Sequence, residues 1–296
     1  MAPHALVFSI DRKLARMTGP TSAAEPFVSL HCARRDHVAE VSLIGPAKGN
    51  RMGPDFWREM PRMFAALDAD DDVRAIVLRG RGEHFSYGMD LMAMAGELGP
   101  ALADGGLAYE RTRFLALITR MQTAITCVEA CRKPVVAAIA GWCIGGGVDL
   151  ITACDIRLCA GDARFSVREA KLAMVADMGS LQRLPHIVGQ GIARELAFTG
   201  DDVDAARALR IGLVNDVYAS PDALFEAAHA LADRIAKNPP LAVQGSKQIL
   251  NSGVGRTVDA GLREVALWNA AFLPSNDLRE AMMAFAEKRT PTFVGR

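Results

Sequence analysis

The stretch that most constrains what this chain can fold into is Pro134 to Asp155, PVVAAIAGWCIGGGVDLITACD. Its first part, PVVAAIAG, is a short apolar run rich in Val and Ile and bounded by Pro134 and Gly141, the pattern of a strand buried in a parallel or two-sided sheet. Gly145, Gly146 and Gly147 follow, and VDLITACD after them has helical spacing. Glycines at such a turn let backbone amides approach a ligand closely, and the amino end of the helix they open favours negative charge. Asp149 stands three positions after Gly146 and therefore on the same helical face, so a carboxylate looks toward the same space as exposed N–H groups. The same residues also fit a plain strand-to-helix turn whose Asp serves only the helix dipole.

The chain has 296 residues, half of them hydrophobic, enough to bury a large core in one large or two smaller domains. Lys plus Arg and Asp plus Glu both count 34, so no overall field recruits nucleic acid or an anionic membrane. The six cysteines, Cys32, Cys127, Cys131, Cys143, Cys154 and Cys159, fall mostly inside apolar runs with no CxxC pair. That usage suits reduced core thiols of a cytoplasmic protein and implies no metal. The first 20 residues lack the order of a signal peptide, and no apolar run reaches membrane-spanning length. Residues 1–25 read as a loose extension, with an organelle transit peptide left open.

In chain order, FVSLHCA from Phe27 and VAEVSLIG predict two paired strands joined by RRDH. GPDFWREMPRMFAALDADDDV has helical spacing with a kink expected at Pro61, and VRAIVLRG after it is a strand, so a right-handed crossover is expected. GRGEHFSYGMDLMAMAGEL breaks with Gly and resumes as a helix from about Met89; a long helix is predicted from Tyr109 to Cys131. DIRLCAGDARFSV reads as two short strands about a Gly-Asp turn, and from Leu181 onward the pattern is almost wholly helical. The expected division is an α/β core over 26–200 and a helical region over 201–296.

No GxSxG elbow, HExxH, Walker A loop or GxGxxG after a strand is present. What remains is two Gly-containing turns before predicted helices, with carboxylates downstream of the second. Two aimed amides make an oxyanion hole, and acids beside it can move protons on carbon next to a carbonyl. On these residues the chain resembles the crotonase superfamily, the enoyl-CoA hydratase/isomerase family. FSYGMDL at Phe85 to Leu91 resembles the family's first oxyanion segment and GWCIGGGVDLITACDIRLCA its second. ARFSVREAKLAMVADMGSLQRLPHIVG and the terminal EKRTPTFVGR continue the likeness, which covers roughly Phe27 to Arg296.

The resemblance implies a spiral of ββα units with a helical C-terminal trimerisation region, and an acyl-CoA thioester as substrate. It makes the N–H groups of Met89 and Gly146 the oxyanion donors, flanked by Gly88 and Gly145. Hydratases of the family resemble one another in carrying Glu at the positions of Asp149 and Glu169; here the first is Asp, and a third acid, Asp177, stands where they have glycine. The set Asp149, Glu169 and Asp177, spaced by 20 and 8 residues, is similar to that of the 3,5-to-2,4-dienoyl-CoA isomerases of fatty-acid β-oxidation. Glu169 and Asp177 then serve C2 and C6 in an order the sequence leaves open, and Asp149 orients or tunes them. For Asp177 the plainer role is a loop Asp bonding its own backbone before Gly179. An enoyl-CoA hydratase, a 3,2-enoyl-CoA isomerase and a non-catalytic acyl-CoA binder stay open as alternatives.

No cofactor is expected beyond the CoA of the substrate. Lys48, Arg51 and Lys288 fall by position in the family's CoA-contacting regions, while solvated surface is their plainer reading. Tyr87 and Trp142 are bulky where the thioester is expected, and either reshape the acyl channel or simply pack. The apolar residues after Pro240 exceed what a covering layer buries, and with the resemblance they imply a homotrimer or hexamer.

Overall fold

The structure is a computed structural model that describes residues 26–45, 48–102 and 107–296; the extension expected over 1–25 lies outside the described residues. β1 (Leu30–Arg35) and β2 (Val38–Leu43) pair antiparallel. Only the second half of RRDH turns: Arg34 and Arg35 belong to β1, and Asp36 takes φ 50°. α1 (Pro54–Ala69) opens on a proline, whose missing N–H has no partner to lose in a first turn, and it runs on through Pro61. It buries Phe56, Met60, Met63 and Leu67 at three- and four-residue intervals. The chain returns as β3 (Ala75–Gly80), parallel to β2.

After β3 come α2 (Ala95–Leu102) and α3 (Ala108–Ala130), then β4 (Val135–Ile139), β5 (Trp142–Ile144) and α4 (Gly146–Thr152). β6 (Ile156–Ala160) and β7 (Arg164–Ser166) lead through a 3-10 turn at Glu169–Leu172 into α5 (Ser180–Ile187) and α6 (Gln190–Thr199). One sheet has the order β1-β2-β3-β4-β6-β9 and a second the order β5-β7-β8, where β8 is Val203–Asp204 and β9, after α7 (Ala205–Arg210), is Asp216–Tyr218. Each unit gives its first strand to the larger sheet and its second to the smaller: β4 then β5, β6 then β7. The segment after β3 does the same in abbreviated form, through a bridge from Ser86 to Cys143. The molecule is thus a spiral that advances one step along two sheets at once.

The even burial of β4 follows from its place in that spiral. Val135, Ala137 and Ile139 face the core built on α1 and α3, while Val136 and Ala138 face α8 (Pro221–Ala236). Both faces are dry, so alternation disappears from the sequence, and each Val or Ile contributes about 1.5–3 kcal/mol on burial. α8 lays Leu224, Ala228, Ala232 and Ala236 on the sheet at four-residue spacing. β9 and α8 both lie past residue 200, and both belong to the larger sheet's packing. All six cysteines are free thiols, with Cys32 exposed and Cys131, Cys143, Cys154 and Cys159 buried.

α9 (Pro240–Ser252), α10 (Val258–Phe272) and α11 (Asn276–Glu287) close the chain. α10 buries none of its residues, and Leu250, Val258, Leu267 and Phe285 are 73–87% exposed. The tail folds back, where the Asp277 carboxylate accepts the N–H groups of Val294 and Gly295 at 2.7 and 2.9 Å. Among the described residues no helix is long and apolar enough to cross a membrane.

Candidate active site

The first glycine turn is held from a distance. Asn50, 7% exposed and itself at φ 50°, donates through Nδ2 to the carbonyls of Arg81 and His84 at 2.9 and 2.7 Å. The Ser86 hydroxyl donates to the Asn50 carbonyl and accepts the Gly88 N–H. Met89 then bridges Met52 as a strand residue: the Met52 N–H donates to the Gly88 carbonyl and the Asp90 N–H to the Met52 carbonyl. The helix expected from Met89 therefore starts only at Ala95. In that extended geometry the Met89 N–H points away from Met52, and it has no acceptor among the described residues.

The second turn lies against the first. Gly88 has φ 77°, and a methyl group there would meet the Ile144 carbonyl at 2.6 Å and the Gly146 nitrogen at 3.0 Å. Only glycine permits that approach. A carbon placed on Gly146 would in turn lie 3.7 Å from the Met89 nitrogen. Gly145 caps α4 at φ 53°, with its N–H given to the Ser166 carbonyl. The Gly146 N–H, first in α4, is like that of Met89 without an acceptor among the described residues.

Both amides open on a cavity of about 670 Å³ whose wall also carries Asp149, Glu169 and Asp177. Asp149, on α4, is 1% exposed and accepts the Ser180 N–H at the start of α5 at 2.6 Å. Burial pushes its carboxyl up to about 6, against the lowering effect of Ser180 and with help from the charge of Asp177. Glu169 opens the 3-10 turn and lies against Gly145, where an added carbon would stand 3.0 Å from Oε1. Its Oε2 is buried without a hydrogen-bond partner among the described residues. Burial first, and then the neighbouring Asp149 charge, push Glu169 up to about 7. Asp177, on the loop before α5, is also raised by burial, partly offset by its own backbone N–H.

Trp57, Leu98, Phe114, Ile118, Met121 and Met178 give that cavity a largely apolar lining, interrupted by Arg51, Asp90 and Arg168. Two acids held near neutrality beside two free amides suit proton transfer to and from carbon next to a carbonyl, with the developing charge on oxygen facing the amides. Tyr87 lines the cavity, its ring packed on Gly49, where a methyl would come within 2.2 Å of it. Trp142 does not line it, so of the two roles open to it packing is the one the cavity wall favours; its backbone N–H donates to His84 Nδ1 at 3.3 Å. Arg51 is on the wall, whereas Lys48 is exposed outside it and Lys288 sits at the end of α11, away from this chain's own cavity. The sequence reading missed Asn50, Ser180 and Arg168, the last a wall residue held by Asp202. Asn50 had a faint signal in the Gly-Asn pair of a turn, and the other two had none.

The family model described as enoyl-CoA hydratase/isomerase matches residues 33–296, and the chain belongs to that family. Within it, the chain is 46% identical over 259 residues to the mitochondrial Delta(3,5)-Delta(2,4)-dienoyl-CoA isomerase of Dictyostelium discoideum, covering 86% of this chain and 87% of that one. It is also 46% identical over 275 residues to the peroxisomal protein of that name from Arabidopsis thaliana, covering 91% of this chain and 98% of the relative. The crystal structure of enoyl-CoA hydratase from Bacillus anthracis aligns with a TM-score of 0.82 at 31% identity, covering 91% of this chain and 100% of that one.

Proposed function

We propose that this protein is a Delta(3,5)-Delta(2,4)-dienoyl-CoA isomerase of fatty-acid oxidation. The observation that carries the reading is the trio of Asp149, Glu169 and Asp177 on one wall beside the unpartnered amides of Met89 and Gly146. The reaction moves two double bonds one place toward the thioester, taking a proton from C2 and giving one to C6. Glu169, nearest the Gly145–Gly146 turn, takes the C2 proton; the electron pair spreads over a dienolate whose charge rests partly on the thioester oxygen. The Met89 and Gly146 N–H groups hold that oxygen, each worth about 3–4 kcal/mol in comparable sites. Asp177 gives its proton to C6. Asp149, fixed on the Ser180 N–H, keeps Glu169 high without touching substrate.

Every step is a proton transfer with no net oxidation, so the chemistry calls for no cofactor beyond the substrate's CoA. Arg51 on the cavity wall and Lys48 outside it are the cations for CoA phosphate on this chain, and Lys288 serves a neighbour's site. Exposed Leu250, Val258, Leu267 and Phe285 support a trimer or a pair of trimers through α9–α11. The mitochondrial and peroxisomal names of the relatives favour an organelle over the cytoplasm, which cell fractionation separates. The deciding assay is ultraviolet absorbance of 3,5-dienoyl-CoA with purified protein, since conjugation with the thioester exists only in the 2,4 product. Efficient hydration of crotonyl-CoA without that absorbance change would replace the isomerase by a hydratase.

A further inference from the structure

Behind the carboxyl cluster lies a second cavity, of about 790 Å³, with a wall unlike the first. Gln122, Thr126 and Glu129 of α3 face Gln182, Arg183 and His186 of α5 across it. Ala153, Ile187 and Val254 add apolar stretches, yet the wall is far more polar than that of the first cavity and offers water several hydrogen-bond partners. Asp177 and Met178 are the residues the two cavities share, while Asp149 and Glu169 line only the first. The partition is held open on both sides. Gln122 Nε2 donates to the Asp177 carbonyl at 2.7 Å, and the Arg183 guanidinium, anchored on Glu129 at 2.6 Å, underlies Gly179 so closely that a methyl there would touch it at 2.0 Å.

The reaction proposed above, on which this inference rests, leaves a debt of protons. After one turnover Glu169 has gained the C2 proton and Asp177 has lost its own, so the pair must be reset before the next substrate. Glu169 Oε2 is buried with no hydrogen-bond partner among the described residues, so none of them relays a proton from that oxygen toward Asp177. We propose that the polar cavity is a water duct through which Asp177 is reprotonated in every cycle, so that the hydrogen added at C6 comes from solvent. The balance closes through two doors. One proton enters from water to the Asp177 carboxylate, and one leaves Glu169 to water at the mouth of the first cavity when product departs.

Two measurements test this on the intact enzyme. In deuterium oxide, at early conversion and saturating 3,5-dienoyl-CoA, every product molecule over many turnovers should carry one deuterium at C6. Isomerisation with deuterium at C6 falling as the inverse of the turnover number would mean internal return of the C2 proton, and would overturn the proposal. Absence of any isomerisation would instead remove the functional reading and this one with it. The second measurement fills the duct by Gln182→Trp, with Gln182→Ala as the open control. The first turnover per site should keep its rate, while steady-state kcat falls by about tenfold or more and KM falls with it, kcat/KM being held, giving a burst followed by slow cycling. A Gln182→Trp enzyme that folds and shows neither burst nor loss would overturn the duct.

Discussion

Glu169 gives a prediction that separates stability from catalysis. Its carboxyl is raised from 4.5 to about 7 in the folded chain, so between those values the unfolded chain is ionised at this position while the folded chain still holds the proton. An acid raised on folding favours the folded state at low pH, and that contribution is lost as pH rises through the window. At about 1.4 kcal/mol per unit, the loss reaches about 3 kcal/mol. Glu169→Gln removes the titration, so its stability should change less between about pH 4.5 and about pH 8 than that of the wild type. At roughly 2 °C per kcal/mol for a chain of this size, the two Tm profiles should diverge by about 6 °C. The assay is thermal unfolding at matched protein concentration, since assembly also shifts Tm. Isomerisation should run the other way in the wild type, rising with pH through about 7 as the base ionises, and be lost in the variant. Parallel Tm profiles for the two proteins would refute the argument that burial and Asp149 hold this proton.

Asp177→Asn should cut kcat by about 10²–10⁴-fold while leaving CoA-ester affinity nearly unchanged in calorimetry, because a proton carrier goes and both amides stay. Gly88→Ala should lose both activity and stability, since the added carbon meets the Ile144 carbonyl at 2.6 Å on a residue already at φ 77°; a stable, active variant in urea unfolding would show the turn is looser than described. Asp149→Glu should not yield efficient crotonyl-CoA hydration, since water has to be newly positioned between acids arranged for another reaction. Sedimentation should show a trimer or hexamer at micromolar concentration, and Lys288→Ala should weaken CoA binding.

The site was legible where chemistry is written locally. PVVAAIAG announces a two-sided strand by composition and boundaries, and Gly145 through Asp149 announces a turn whose amide and acid share a face. The first turn was harder. MDLMAMAGEL carries helical spacing from Met89, but a bridge to Met52, 37 residues away, keeps Met89 extended and delays the helix to Ala95. β9 is three residues long, too short to show a period, and exists through pairing with β6, whose partner residues stand 58 positions earlier in the chain. Asp149 was placed by its spacing, but its anchor on the Ser180 N–H was not, because a backbone donor leaves no mark in a side-chain sequence. Trp142 and Tyr87 looked equivalent as bulky neighbours of glycine; Tyr87, in the turn before Gly88, lines the cavity, and Trp142, at the start of β5, does not.

The two amides at Met89 and Gly146 belong to adjacent passes of the spiral, linked by the bridge from Ser86 to Cys143. Their separation is inherited from the spacing of neighbouring strands, about 4.8 Å, rather than from any rotamer. Substituting a side chain leaves a peptide N–H in place, and only proline or a rerouted backbone removes it. The acids facing them are side chains, each open to replacement one at a time. Point mutation therefore bears unequally on the two halves of the proposed site: most substitutions leave its amides in place, Gly88 being an exception because a side chain there meets the Ile144 carbonyl, whereas each acid can be replaced singly. Replacing one acid can therefore change which proton the proposed site moves without disturbing the turn that would hold an anion.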